Sequence, residues 1–119
     1  MSQCLVSFWG TRGSIATPGR STEKYGGNTA CVSVKLGRYI YILDTGTGLR
    51  ALGDEIIEEV QSGELEKDLK IFLSHTHLDH IQGIPFFVPA YNDSFKVNFD
   101  GHSLTGTLSE TLHRQMERD

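Results

Sequence analysis

Cysteine, proline, basic runs and long apolar stretches are all scarce in this sequence, and each shortage closes off a class of protein. Two cysteines, Cys4 and Cys31, cannot make a disulfide framework. They read as small buried hydrophobes in a reducing compartment. Residues 1–10 carry neither a basic leader nor a long apolar core, and no apolar run approaches the ~20 residues of a membrane span. The expectation is therefore a cytoplasmic protein with no membrane partner. Lysine and arginine never cluster, and 11 basic against 15 acidic residues leave a net charge of −4. That balance argues against a purely electrostatic grip on nucleic acid by this chain alone. An anionic substrate would need a local positive centre, which a bound metal supplies.

Against three prolines stand thirteen glycines, which point to many tight turns. The chain of 119 residues has 38% hydrophobic and 22% charged residues, enough for one domain (1–119) with a real core but not for two. A first strand is predicted over 5–9, ended by Gly10, and a long glycine-bearing loop over 11–27. A loop of that length in a compact domain often serves binding. Strands over 29–36 and 39–43 flank the Gly37-Arg38 turn and make a hairpin. After Asp44-Thr45-Gly46-Thr47-Gly48, apolar Leu49, Leu52, Ile56, Ile57 and Val60 recur at helical spacing until Gly63. A buried strand follows over 69–73. Residues 81–90 start like a helix, but Pro85 and Pro89 interrupt it. A strand over 95–99 and a helix over 108–117 complete the pass. No repeat is visible, and the order of elements suits an α+β sheet with helices on one face.

The chemistry gathers at the end of the strand over 69–73, in Ser74-His75-Thr76-His77-Leu78-Asp79-His80. On extended backbone, residues two apart point the same way, so His75 and His77 can converge on one ion. Asp79 and His80 sit where the chain turns into a helix and can face a neighbouring position. Imidazole and carboxylate together suit zinc, with manganese or iron as alternatives. A solvated histidine-rich turn is the competing reading. The spacing and the placement at a strand end favour metal. His102, after a predicted strand, and His113, near the end of a predicted helix, read as surface residues.

His-x-His-x-Asp-His after a hydrophobic strand resembles the signature of the metallo-β-lactamase superfamily, metal-dependent hydrolases with an αββα fold. Phe8-Trp9-Gly10-Thr11-Arg12-Gly13-Ser14-Ile15, Tyr25-Gly26-Gly27-Asn28-Thr29, Ile42-Leu43-Asp44-Thr45-Gly46-Thr47-Gly48-Leu49-Arg50 and Ile81-Gln82-Gly83-Ile84-Pro85-Phe86-Phe87 extend the likeness over most of the chain. In combination they are similar to the phosphoribosyl cyclic phosphodiesterase-like branch, which lies near the tRNA 3′-end-processing endonucleases. The resemblance implies the N-terminal half of an αββα sandwich, with a mixed, mostly antiparallel sheet. It also implies two divalent metal ions, His75 and His77 holding the first and Asp79 and His80 the second. A metal-bridging hydroxide would attack the phosphorus of a phosphodiester-like small molecule or an RNA end. Asp79 would be the catalytic residue, orienting that hydroxide or passing a proton to the leaving group.

Asp44 matches the superfamily aspartate before the Gly-Thr-Gly turn. There it would orient the metal loop through hydrogen bonds, or else cap the helix that follows. Arg12, in the Thr11-Arg12-Gly13-Ser14 stretch, would meet a substrate phosphate, or else is an ordinary exposed loop arginine. Asn28 would place an amide near the site, or else forms a turn.

Nothing between His80 and Asp119 matches the further ligands that complete superfamily members carry. A catalytic zinc normally has three protein ligands, and each ion here would have two. The expectation is an N-terminal fragment or truncated gene product that binds metal weakly or not at all by itself. Its half-sandwich would leave apolar surface to be covered by a second copy or by the missing half. A lactam or thioester hydrolase uses the same metal motif, and a non-catalytic domain that dimerises or binds a partner is the alternative to an enzyme.

Overall fold

Side chains alternating along the strands give the sheet two faces, and among the described residues a helix covers one of them. The computed structural model describes residues 3–74 and 77–101. Strands β1 (Cys4–Gly10), β2 (Cys31–Leu36), β3 (Tyr39–Leu43), β4 (Asp68–Leu73) and β5 (Lys96–Gly101) form one sheet in sequence order. The first three pair antiparallel, and β3, β4 and β5 pair parallel. Gly37, at φ 61°, makes the tight turn between β2 and β3. A parallel pair needs a crossover. Helix α1 (Leu49–Gln61) supplies one between β3 and β4. The short helix α2 (Leu78–Ile81), followed by two 3-10 turns, supplies the next.

The core lies between the covered face and α1. Ile40, Ile42, Leu69, Ile71 and Leu73 from the strands meet Leu49, Leu52 and Ile56 from the helix, and Ile81, Ile84 and Phe87 close the end. Full burial of each such side chain contributes about 1.5–3 kcal/mol. Helix α1 stops at Gly63, whose φ of 81° turns the chain out of the last turn. Lys35 lies on the covered face of β2 and reaches Glu55 (3.1 Å) and Glu59 (2.6 Å) on α1, tying the helix to the sheet.

The α+β class, the mixed sheet and the hairpin agree with the sequence reading. Several details differ. Cys4 is exposed on the edge strand, not buried, while Cys31 is fully buried as expected. Strand β2 starts at Cys31, because Thr29 is drawn into bonds with Thr47 and forms an isolated bridge with Arg12. Residues 81–90, by contrast, are interrupted at the prolines as expected. Pro85 and Pro89 each start a separate 3-10 turn, Ile84–Phe86 and Val88–Tyr91. The predicted helix over 108–117, with His102 and His113, lies outside the described residues. No helix among the described residues is long and apolar enough to cross a membrane.

Candidate metal centre

Strands β1, β3, β4 and β5 run the same way, so their C-terminal ends share one edge of the sheet. The ends of β1, β3 and β4 each release a segment of the site. Asp44 leaves β3 with φ 64°, a left-handed conformation that aspartate tolerates better than most residues. Its backbone N–H still donates to Phe72 O at 2.8 Å, so the sheet fixes where its side chain starts.

From there the Asp44 carboxylate reaches across to β4. Oδ1 accepts from the Ser74 backbone N–H (2.8 Å) and hydroxyl (3.0 Å), and the same hydroxyl lies 2.8 Å from Oδ2. Oδ2 also lies 3.2 Å from His80 Nδ1. On the other side of the ring, His80 Nε2 is 3.3 Å from Asp79 Oδ2. One imidazole thus stands between two carboxylates, and all three side chains are more than four-fifths buried. Asp44 does not cap α1. The residue at that helix start is Gly48, with no side-chain cap, so the capping alternative is overturned.

The loops that hold this arrangement interlock at close range. Thr45 donates both its N–H and its hydroxyl to His80 O, each at 2.8 Å, and accepts from Gly83 N. A Cβ on Gly46 would come within 2.6 Å of Asp79 O, and one on Gly83 would overlap Gly46 O. Only glycine permits that approach. The long loop after β1 folds back over the site. Thr11 N and Arg12 N both donate to Asn28 O, and Ser14 N donates to Asp79 Oδ2 at 3.1 Å. Ser14 has φ 70°, a strained backbone of the kind that gathers at functional sites.

The expected site residues divide as follows. Asp44, Asp79 and His80 come together. His77 is exposed, holds extended backbone at the start of α2, and accepts from His80 N through its carbonyl. His75 lies outside the described residues. No group of three or more histidine, cysteine, aspartate or glutamate side chains among the described residues is set as a metal cage. Arg12 is exposed, and its Nε donates to Ile15 O within its own loop. Asn28 accepts the Thr47 hydroxyl through Oδ1 at 3.2 Å, and the two help line an open cavity of about 330 Å³ with Arg50 and Phe86.

Sequence reasoning missed Ser74 and Thr45 as the residues that brace the centre, and the Ser14 backbone as the group that reaches Asp79. Thr45 next to Asp44, and Ser74 directly after β4, were the available signal. It is weak, because serine and threonine fill turns everywhere.

Two carboxylates facing one imidazole concentrate negative charge where a divalent cation would be attracted. Asp44 faces Nδ1 of the His80 ring and Asp79 faces Nε2; a carboxylate beside one ring nitrogen is the usual way a metal-binding histidine is oriented. Asp79 and His80 supply donor types that suit a divalent cation, but the described residues do not by themselves close three ligands around one.

No family model and no curated protein matches the chain. Among solved structures, one from Thermotoga maritima described as a "putative metallo-beta-lactamase" is similar, with 22% identity and a TM-score of 0.42. The similarity covers 81% of this chain and 42% of that one, so this chain spans less than half of the Thermotoga protein's length.

Proposed function

We propose that this chain carries part of the metal centre of a metallo-β-lactamase-type hydrolase that cleaves phosphodiester-like substrates. The observation that supports the reading is the placement of His80 between Asp44 and Asp79 at the C-terminal edge of the sheet. Asp79 and His80 would hold one divalent ion, and His75 and His77 a second, with zinc, manganese or iron as candidates. When bound, such ions polarise a phosphoryl oxygen and activate water at neutral pH.

The remaining work falls to the chain. Asp44 holds the His80 ring and ties it to β4 through Ser74. Asp79, kept in place by the Ser14 N–H, is the group positioned to hold or pass a proton. The loop over 11–27 covers one side of the site. The guanidinium nitrogens of Arg12 that its loop leaves unused are suited to a phosphate oxygen. The substrate would be a small phosphodiester of the cyclic phosphodiesterase-like kind, or an RNA end, in the cytoplasm.

Titration of the chain with zinc and manganese, followed by turnover of bis(p-nitrophenyl) phosphate, tests this. Weak metal uptake by the chain, lost in His80→Ala and Asp79→Ala together with any turnover, is the expected result. A folded chain that takes up no metal and turns over nothing sinks the reading and leaves a non-catalytic domain.

A further inference from the structure

Among the described residues, nothing packs over the face of the sheet opposite α1. Side chains alternate along each strand, so the neighbours of buried Ser33, Ile42 and Ile71 point away from the core. One row across the sheet reads Phe8, Val32, Leu43, Phe72 and Asp100. The next reads Val6, Val34, Tyr41, Lys70 and Asn98. Below them on β1, β2 and β3 lie Cys4, Leu36 and Tyr39. Phe8 is 72% exposed, Tyr39 51%, Val6 49%, Leu36 42%, Leu43 41% and Phe72 38%. Tyr41 stacks on Phe72, with ring centres 6.4 Å apart, which keeps the middle of the face flat and apolar.

We propose that this face pairs with the same face of a second copy of the chain, giving a two-sheet sandwich with α1 on each outer side. Area supports the choice. Rings and aliphatic side chains together expose on the order of 600 Å² here, the upper end for a solitary soluble domain. Two copies would bury roughly 1,200 Å², the lower bound of a specific protein–protein interface.

The charges make the face complementary to itself. Lys96 and Asp100 lie on the same face at opposite ends of β5. A twofold axis crossing the strands at the Val6–Tyr41–Asn98 row lays each Lys96 over the Asp100 of the other copy. The same axis sets Phe8 over Cys4, Val32 over Leu36 and Leu43 over Tyr39, apolar on apolar throughout. Asp68, bonded to Asn98 at 3.0 Å, meets the margin of Phe72. Lys70 faces its own copy near the axis, and its long stem lets the two ammonium groups turn apart to solvent. The sheets would stack ~10 Å apart, as in aligned sandwiches.

Sedimentation velocity of the 119-residue chain over a dilution series is the test, with circular dichroism to check folding. The expected result is a reversible dimer that Phe8→Asp converts to a folded monomer. Lys96→Asp and Asp100→Lys should each weaken the dimer ~10-fold or more, and the two together should restore it. A monomer at every concentration overturns the proposal, and so does a dimer unaffected by Phe8→Asp. Singles that weaken the dimer without rescue in the double overturn the face-to-face pairing.

Discussion

Asp44 Oδ2 lies 3.2 Å from His80 Nδ1 while the same carboxylate accepts both the N–H and the hydroxyl of Ser74. One side chain therefore joins the end of β3, the end of β4 and the ring proposed to bind metal.

Replacing Asp44 should loosen that ring without removing any proposed ligand. Asp44→Asn keeps an acceptor for the Ser74 N–H and tolerates the left-handed backbone. It should lower metal affinity ~10–100-fold, as loss of an orienting carboxylate does. Asp44→Ala should match that loss and also cost about 1–2 kcal/mol of stability, because alanine fits φ 64° poorly. Competition titration against a zinc chelator and urea unfolding read the two effects separately.

Stability should fall in alkali, for two reasons with the same sign. Burial, with the Asp44 charge second, pushes the Cys31 thiol from 9.0 up to about 12. The folded chain thus keeps a proton that the unfolded chain releases above pH ~9, and stability declines from there toward pH 12 by at most ~1.4 kcal/mol per unit. Burial works against the Lys35 ammonium, but hydrogen bonds and charge from Glu59 and Glu55 outweigh it and raise its pKa above 10.5. Its contribution is complete below 10.5 and is lost as pH rises through the folded value. Urea midpoints at neutral pH and at several alkaline values should show the decline, and Cys31→Ala should flatten its first part.

The Lys35 clamp is also directly testable. Lys35→Met leaves Glu55 and Glu59, one helical turn apart, without the cation between them. The expected cost is about 1–3 kcal/mol, toward the lower figure because Glu55 is 40% exposed and water screens it. Lys35→Met with Glu59→Met should recover part of that loss in a denaturant titration.

Gly83→Ala should damage the centre from a distance. A Cβ there would overlap Gly46 O and press on the Leu49 side chain, so two loops would have to separate. We expect a stability loss of about 1–3 kcal/mol, seen as a lower urea midpoint at unchanged m-value, together with weaker metal uptake.

The parts of this fold that were legible in sequence are those governed by periodicity. The helical spacing of Leu49, Leu52 and Ile56, the alternation through residues 39–43 and the turn at Gly37 each specify their element locally. What sequence concealed depends on partners far along the chain. Thr29 looks like the start of a strand until Thr47, eighteen residues later, takes its hydrogen bonds. Asp44 sits close enough to a helix start to suggest a cap, and only its contact with Ser74, thirty residues away, gives it another role. The Asp79–His80 half of the motif was visible as a cluster. The bracing from Thr45 and Ser14 was not, because most of it runs through backbone atoms and a lone threonine hydroxyl is common in turns.

With four of five strands pointing the same way, the described residues of the proposed site emerge at one rim. Among the described residues, the opposite rim carries the start of β1, the turns at Gly37 and Gly63 and the approach to β5. Six-residue strands keep the two rims ~20 Å apart. Loop grafts, affinity tags or fluorophores placed at the Gly37 turn should therefore be silent toward any chemistry at the far end, and drift in length across relatives is expected there first.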